Sequence, residues 1–175
     1  LVAMEREGVG RTALVTGATG GIGGAIAQAL HGQGATVAIS GTRREVLDSF
    51  AAKLGDRVHV LPCNLSDSAE VEALVPAAEA AMGQVDILIA NAGITRDSAM
   101  HKMTPENWDE VIRTNLNSAF NMSRCVLDNM REKKFGRIIN ISSMNGQLGQ
   151  FGQTNYSAAK AGMFGFTKAL ARETA

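Results

Sequence analysis

Toward the end of the chain, in the segment Thr154-Asn155-Tyr156-Ser157-Ala158-Ala159-Lys160, a tyrosine and a lysine stand four residues apart. In a helix that spacing puts both side chains on one face. A free phenol, with a pKa near ~10, is a poor proton donor at neutral pH, and an ammonium held beside it favours the phenolate. Upstream, Ser142 and Ser143 follow an apolar run, Arg137-Ile138-Ile139-Asn140-Ile141, introduced by Gly136. Its β-branched residues read as a buried strand. A Ser143 hydroxyl carried by that strand end to the tyrosine would hydrogen-bond the oxygen being protonated. Tyr156, Lys160 and Ser143 then make a general acid with an oxyanion partner, equipment for reducing a carbonyl.

The other end of the chain offers a place for a nucleotide. Residues 11–16, Arg-Thr-Ala-Leu-Val-Thr, read as a strand, and Gly17-Ala18-Thr19-Gly20-Gly21-Ile22-Gly23-Gly24 leads from it into an Ala-rich helix. A helix N-terminus entered through glycines exposes backbone N–H groups to an anion and lets a pyrophosphate come close. Gly17, Thr19, Gly21, Ile22 and Gly23 are the candidate contacts. The helix reaches about His31, with Ile22, Ile26 and Leu30 as the stripe facing a sheet, and Gly32-Gln33-Gly34 ends it. A second strand follows over residues 35–40. A carboxylate at its end would accept from an adenosine 2′-hydroxyl, but the chain has Ser40-Gly41-Thr42-Arg43-Arg44 there and no acidic residue before Glu45. Arginine at this point accommodates a 2′-phosphate, so the expected cofactor is NADPH, with Arg43 and Thr42 as phosphate contacts. Paired arginines at a helix start are also the pattern of a solvated surface.

The remaining elements keep the alternation. A third strand covers residues 57–61, and Ser66 or Asp67 caps a helix from about Ser68 to Met82 with Val71, Leu74 and Val75 inward and Pro76 bending it. A fourth strand covers residues 86–90. Thr104-Pro105 opens a long helix carrying Trp108, Val111, Ile112, Leu116, Phe120, Val126 and Met130, with Asn115 in its middle. Strands alternating with helices predict an α/β architecture, a doubly wound parallel sheet of order 3-2-1-4-5, with the ligand over the strand carboxyl ends. Gly17, Asn91 and Ser143 all fall at such ends.

Taken together, Thr-Gly-x-x-x-Gly-x-Gly over residues 16–23, Asn91-Ala92-Gly93, Asn115, Ser143 and Tyr156-x-x-x-Lys160 resemble the short-chain dehydrogenase/reductase family. The likeness runs from about Arg11 to the last residue. Within the family it is most similar to the branch of 3-oxoacyl-(acyl carrier protein) and acetoacetyl-CoA reductases. The resemblance implies a Rossmann-like fold and hydride transfer from NADPH to the 3-keto carbon of an acyl thioester carried on CoA or acyl carrier protein. It places Asn64 and Leu65 beside the adenine, and Asn91, Ala92 and Gly93 against the adenosine ribose. Lys160 would bond the nicotinamide ribose, and Asn115 would bend its helix and hold a water linking Lys160 to solvent. Gln147, Gln150 and Phe151 would line the acyl pocket or else pack their own loop. A cytoplasmic homo-tetramer or dimer is implied as well. Two positions depart from the family pattern: Gly20, where many NADPH-dependent members carry arginine, and Ala90, where the Asn-Ala-Gly turn usually begins with a further Asn. Family members also continue past the active-site helix with more strands and a substrate lid. The expectation is therefore a portion of a longer polypeptide, the alternative a truncated, non-catalytic nucleotide-binding or assembly module.

Composition narrows the field further. Lysine plus arginine and aspartate plus glutamate number 17 each, and the absence of a basic run argues against nucleic acid. Cys63 and Cys125 form no framework and read as free thiols, while His31, His59 and His101 stand apart, so no metal site is expected. No apolar run approaches the ~20 residues of a membrane span. Residues 1–10 match nothing recognisable and are expected to be a frayed or extraneous terminus, leaving residues 11–175 as the dinucleotide-binding domain.

Overall fold

The computed structural model describes residues 8–174. The β-branched runs between glycine turns form five short strands: β1 Thr12–Thr16, β2 Thr36–Ser40, β3 Val58–Val60, β4 Ile87–Ala90 and β5 Arg137–Asn140. All pair in parallel, in the order β3-β2-β1-β4-β5. The helices between them are α1 Gly21–Gly32, α2 Arg44–Leu54, α3 Ser68–Met82, α4 Pro105–Ile112, α5 Ser118–Glu132, a single turn α6 Asn145–Leu148, and α7 Thr154–Thr174. Central β1 is buried at every residue, as a strand covered on both faces must be. Alternate β1 side chains serve opposite layers: Ala13 and Val15 pack with Ala27 and Leu47 of α1 and α2, whereas Leu14 packs with Val71, Leu74 and Val75 of α3 and Met122 and Val126 of α5. This is the doubly wound sheet that the sequence predicts.

Several local expectations change. β5 is not buried: Ile139 is 45% exposed, because β5 is the edge of the sheet and has a neighbour only in β4. Ile22 does not belong to the sheet-facing stripe of α1, being 64% exposed, and the helix buries Gly23 and Ala27 instead. Pro76 leaves α3 unbroken. The long helix after Thr104 is interrupted by a π turn, Arg113–Asn117, between α4 and α5. Its buried face combines Val111, Met122, Val126 and Met130 with small and polar residues, Thr114, Asn115, Ser118, Ala119 and Ser123, while Phe120 is 48% exposed. Of the apolar side chains expected to face inward, Val111, Val126 and Met130 are buried, Trp108, Ile112 and Leu116 are half-buried, and Phe120 alone turns outward. Of the ten N-terminal residues expected to be frayed or extraneous, residues 1–7 lie outside those described. Gly8, Val9 and Gly10 form a turn closed by the Arg11 N–H donating to the Gly8 carbonyl at 3.0 Å, with Gly8 buried against Gln33.

At the opposite end of the sheet from the candidate residues, Asp86 is buried and collects three hydrogen bonds: from the Thr12 N–H at 3.0 Å, the Thr12 hydroxyl at 3.3 Å and the Gln84 amide at 2.8 Å. These bonds tie the starts of β1 and β4 together. Replacing the carboxylate strands a buried Thr12 N–H, so Asp86→Ala is expected to cost about 3 kcal/mol of unfolding free energy in urea titrations; a loss below about 1 kcal/mol would show the carboxylate to be dispensable.

Candidate active site

The ends of β1, β2 and β4, the segment after β3 and the start of α1 enclose a cavity of about 400 Å³ above the carboxyl edge of the sheet, and it receives Gly17, Thr19, Gly21, Ile22, Gly23, Thr42, Asn64, Leu65, Asn91, Ala92 and Gly93. Arg43 is the one candidate cofactor contact that does not line it. The Arg43 side chain is exposed, and its guanidinium donates to the Thr19 carbonyl at 3.4 Å, above the glycine turn. A second cavity of about 450 Å³ lies between α5, β5 and α7 and contains none of the candidate residues.

The glycine turn is built for close approach. Gly17 adopts φ +67°, and a Cβ there would meet the Asn91 amide at 2.8 Å and Ala92 Cα at 2.9 Å. Gly23 buries its backbone against the Gly17 carbonyl, which a side chain would displace. The α1 N-terminus has no side-chain cap and no acidic residue in its first turn, so its N–H groups and dipole face the cavity uncompensated. The buried Ser40 hydroxyl, at the end of β2 in the same cavity, has no hydrogen-bond partner among the described residues.

The tail of β4 joins this turn to the rest of the site. Thr16 Oγ1 donates to the Ile89 carbonyl at 3.2 Å and accepts the N–H groups of Asn91 at 3.1 Å and Ala92 at 3.2 Å. The Asn91 amide donates to the Thr16 carbonyl at 2.9 Å. Farther along, Asn115 is wholly buried, accepts the Ile94 N–H at 3.0 Å, and donates to the carbonyls of Ile94 at 2.9 Å and Val111 at 2.8 Å. The Val111 carbonyl is the one an ordinary α-helix pairs with the Asn115 backbone N–H. Here the Asn115 side chain also donates to that carbonyl, in the middle of the widened π turn.

Lys160 is 2% exposed, and its ammonium donates to the Ile141 carbonyl at 2.7 Å and lies 5.8 Å from the centre of the Tyr156 ring. Gly93 lies beside it: a Cβ there would press on Asn115 Oδ1 and meet the ammonium at an ordinary contact distance of 3.5 Å. Gly146 of α6 rests on the Lys160 backbone, where a side chain would come within 2.8 Å, and Ser142 Oγ donates to the Lys160 carbonyl at 2.7 Å. Ser143 lies between these two contacts in sequence, and its hydroxyl oxygen accepts the Asn145 N–H at 3.2 Å. Tyr156 is half-buried, one residue after Asn155.

Residues 11–175 match the family profile described as short chain dehydrogenase. The chain belongs to the short-chain dehydrogenase family. It is 53% identical over 169 residues to Nodulation protein G of Rhizobium sp. (strain N33), an alignment covering 97% of this chain and 69% of that protein. It is 51% identical over 166 residues to the acetoacetyl-CoA reductase of Shinella zoogloeoides, covering 94% of this chain and 68% of the relative. It is 46% identical over 166 residues to the 3-oxoacyl-[acyl-carrier-protein] reductase FabG of Escherichia coli (strain K12), covering 95% and 68%.

As a short-chain dehydrogenase the chain is an oxidoreductase, and its cavity suits a nicotinamide dinucleotide: an uncapped helix N-terminus that favours an anion, a glycine cradle and an unpartnered hydroxyl at the end of β2. Gln147, Gln150 and Phe151 stay outside that cavity; all three are exposed, Phe151 at 88%. Cys63 and Cys125 are free, and burial together with the nearby Glu70 and Asp67 pushes the Cys63 thiol up to about 11, leaving it protonated and unreactive. No metal-ligating cluster occurs among the described residues. Sequence reasoning missed Thr16, Ser40, Ser66 and Thr114 in the cavity wall and the wholly buried Asn155, which accepts the Tyr156 N–H at 2.7 Å and donates to the Arg96 carbonyl at 3.0 Å. A hydroxyl ending a strand is a visible signal for Thr16 and Ser40; the others depend on distant segments meeting.

Burial pushes the Lys160 ammonium down from 10.5 to about 8. Its charge therefore opposes folding, by roughly 3 kcal/mol at neutral pH before the Ile141 bond offsets part of it. The penalty is complete below pH 8; between pH 8 and 10.5 the unfolded chain keeps a proton the folded chain has released, so stability rises with pH. Lys160→Met should be at least as stable as the parent at pH 7 and lose that advantage by pH 10.5. Urea titrations at several pH values would read this, and a difference independent of pH would contradict it.

Proposed function

We propose that this chain carries the NADPH-dependent reduction of a 3-oxoacyl thioester, on acyl carrier protein or CoA, to the 3-hydroxyacyl thioester. The observation that carries the reading is the buried Lys160 ammonium, which bonds the Ile141 carbonyl, lies 5.8 Å from the Tyr156 ring centre and neighbours Gly93 of the cavity wall. Relatives named as 3-oxoacyl-[acyl-carrier-protein] and acetoacetyl-CoA reductases support the substrate class.

When bound, the reduced nicotinamide supplies the hydride that goes to the 3-keto carbon. Tyr156 gives its hydroxyl proton to the oxygen as the carbonyl π electrons move onto it. The Lys160 cation, facing the tyrosine ring from a site that excludes water, stabilises the phenolate left behind. Ser143 donates its hydroxyl proton in a hydrogen bond to the same oxygen. Asn115 fixes the Ile94 backbone and the widened helix turn against which Gly93 and Lys160 are set. Thr42 and Arg43 take the 2′-phosphate: no carboxylate occupies the end of β2, and the exposed Arg43 guanidinium already arches over the glycine turn at Thr19. Gln147, Gln150 and Phe151 meet the acyl thioester from the surface. The reading includes cytoplasmic action and assembly into a homo-dimer or tetramer, with Phe120 of α5 among the exposed apolar side chains available for a subunit contact. No helix among the described residues is long and apolar enough to cross a membrane.

Following NADPH absorbance with acetoacetyl-CoA tests the activity directly. Tyr156→Phe should lower turnover by at least ~10²-fold with NADPH affinity kept, since the phenol acts in the transition state; retained turnover rejects the assignment. Arg43→Ala should raise KM for NADPH about tenfold and leave KM for NADH unchanged, the size expected of one lost charge-assisted contact. Equal effects on both cofactors would remove Arg43 from the phosphate site.

A further inference from the structure

Ser143 is held from behind by a line of amides. Its oxygen accepts the Asn145 backbone N–H at 3.2 Å, and no acceptor for its own proton occurs among the described residues. Asn145 is fixed in turn: its side-chain amide donates to Gln153 Oε1 at 2.8 Å, and Gln153 Nε2 donates to Asp97 Oδ2 at 2.9 Å. Asp97 lies in the loop after β4, Gln153 immediately precedes α7, and Asn145 opens α6, so three segments distant in sequence meet here. The junction is braced by Ser98 N–H donating to the Gly152 carbonyl at 2.8 Å and by the two-bond Arg96–Glu110 pair at 2.8 and 2.7 Å.

The polarity of this line is determined at one end. A carboxylate only accepts, so Asp97 must be met by the Gln153 nitrogen. That leaves the Gln153 oxygen for Asn145, which must present its nitrogen. Inverting either amide would set donor against donor or lone pair against lone pair. Holding the Asn145 side chain fixes where its backbone N–H lies; that N–H, a donor whichever way the amides are turned, occupies one lone pair of Ser143 and leaves the hydroxyl proton without an acceptor among the described residues.

We propose that Asp97, Gln153 and Asn145 are positioning residues that fix the Ser143 hydroxyl as a donor toward the substrate carbonyl. The proposal rests on the reading that Ser143 holds that carbonyl oxygen. None of the three touches the reacting atoms; they act through Ser143.

Two measurements test it. With asparagine labelled in nitrogen-15, Asp97→Leu should shift the Asn145 backbone amide resonance in the parent protein but not when Gln153→Met has already cut the line. In the NADPH assay, Gln153→Met should lower kcat by about threefold to tenfold, the worth of one or two hydrogen bonds, with NADPH affinity unchanged. The paired change Asp97→Asn with Gln153→Glu reverses the bond between positions 97 and 153 but still offers the Asn145 amide an acceptor, so it should recover most of that kcat, whereas Gln153→Glu alone, equal in shape but setting one carboxylate against another, should not. An Asn145 resonance that responds to Asp97→Leu equally in both backgrounds overturns the proposal. So does full kcat in Gln153→Met while Ser143→Ala is impaired. Full kcat in Ser143→Ala overturns the parent reading, and the donor role with it, whatever the resonances show.

Discussion

A lysine ammonium taken almost entirely out of water must be met by something, and in this protein the Ile141 carbonyl meets it at 2.7 Å. Ile141 follows directly on β5, and its own N–H donates to the Ala90 carbonyl at 3.0 Å, so the acceptor that holds Lys160 is anchored to β4. One consequence is that α7 cannot slide along the sheet edge without breaking a charge-assisted bond. Another is that Ser143, two residues past Ile141, has little freedom in where it lies. Two glycines keep the surroundings of the ammonium compact: Gly93 leaves the space that Asn115 Oδ1 fills, and Gly146 lets α6 rest on the Lys160 backbone, where a side chain would hold it away.

The helix wall opposite this cation is unusual for its polarity. Thr114, Asn115, Ser118 and Ser123 are all buried on the face where a core helix normally presents aliphatic residues. Most of that polarity is satisfied locally: Ser118 Oγ donates to the Thr114 carbonyl at 2.6 Å, the Thr114 and Ser66 hydroxyls are 3.0 Å apart, and Asn115 uses both ends of its amide. The last of these sits within the π turn, where Asn115 reaches the Ile94 backbone on one side and the Val111 carbonyl on the other.

The strands and their order were legible because they are local signals: β-branched runs, glycine breaks, and an alternation with helices that leaves few topologies open. The Tyr156–Lys160 spacing and the glycine turn were legible for the same reason. Which face an exposed apolar residue takes was not. Ile22, Phe120 and Ile139 look like core in a linear pattern, yet one borders a cavity, one follows a π turn and one sits on an edge strand. Least visible were contacts that exist only when loops meet, such as Asn155 reaching the Arg96 carbonyl across 59 positions or Gln153 reaching Asp97 across 56. No periodicity encodes them, and an amide in a loop is the commonest of surface residues.

The glycine turn and the buried lysine are not two sites placed side by side; one stretch of backbone sets both. At its start, Asn91 and Ala92 give their N–H groups to Thr16 and crowd Gly17 closely enough that no side chain fits there. At its end, Ile94 is pinned at both its N–H and its carbonyl by Asn115, and Gly93 between them faces the ammonium. Four consecutive residues with so many fixed points cannot shift at one end alone. On the proposed reading the phosphate end of a nucleotide and the proton-donating tyrosine are therefore referenced to a common rigid segment. That removes the need for either site to find the other, and it explains why the segment is built from a small, inflexible turn rather than from side chains that could adapt.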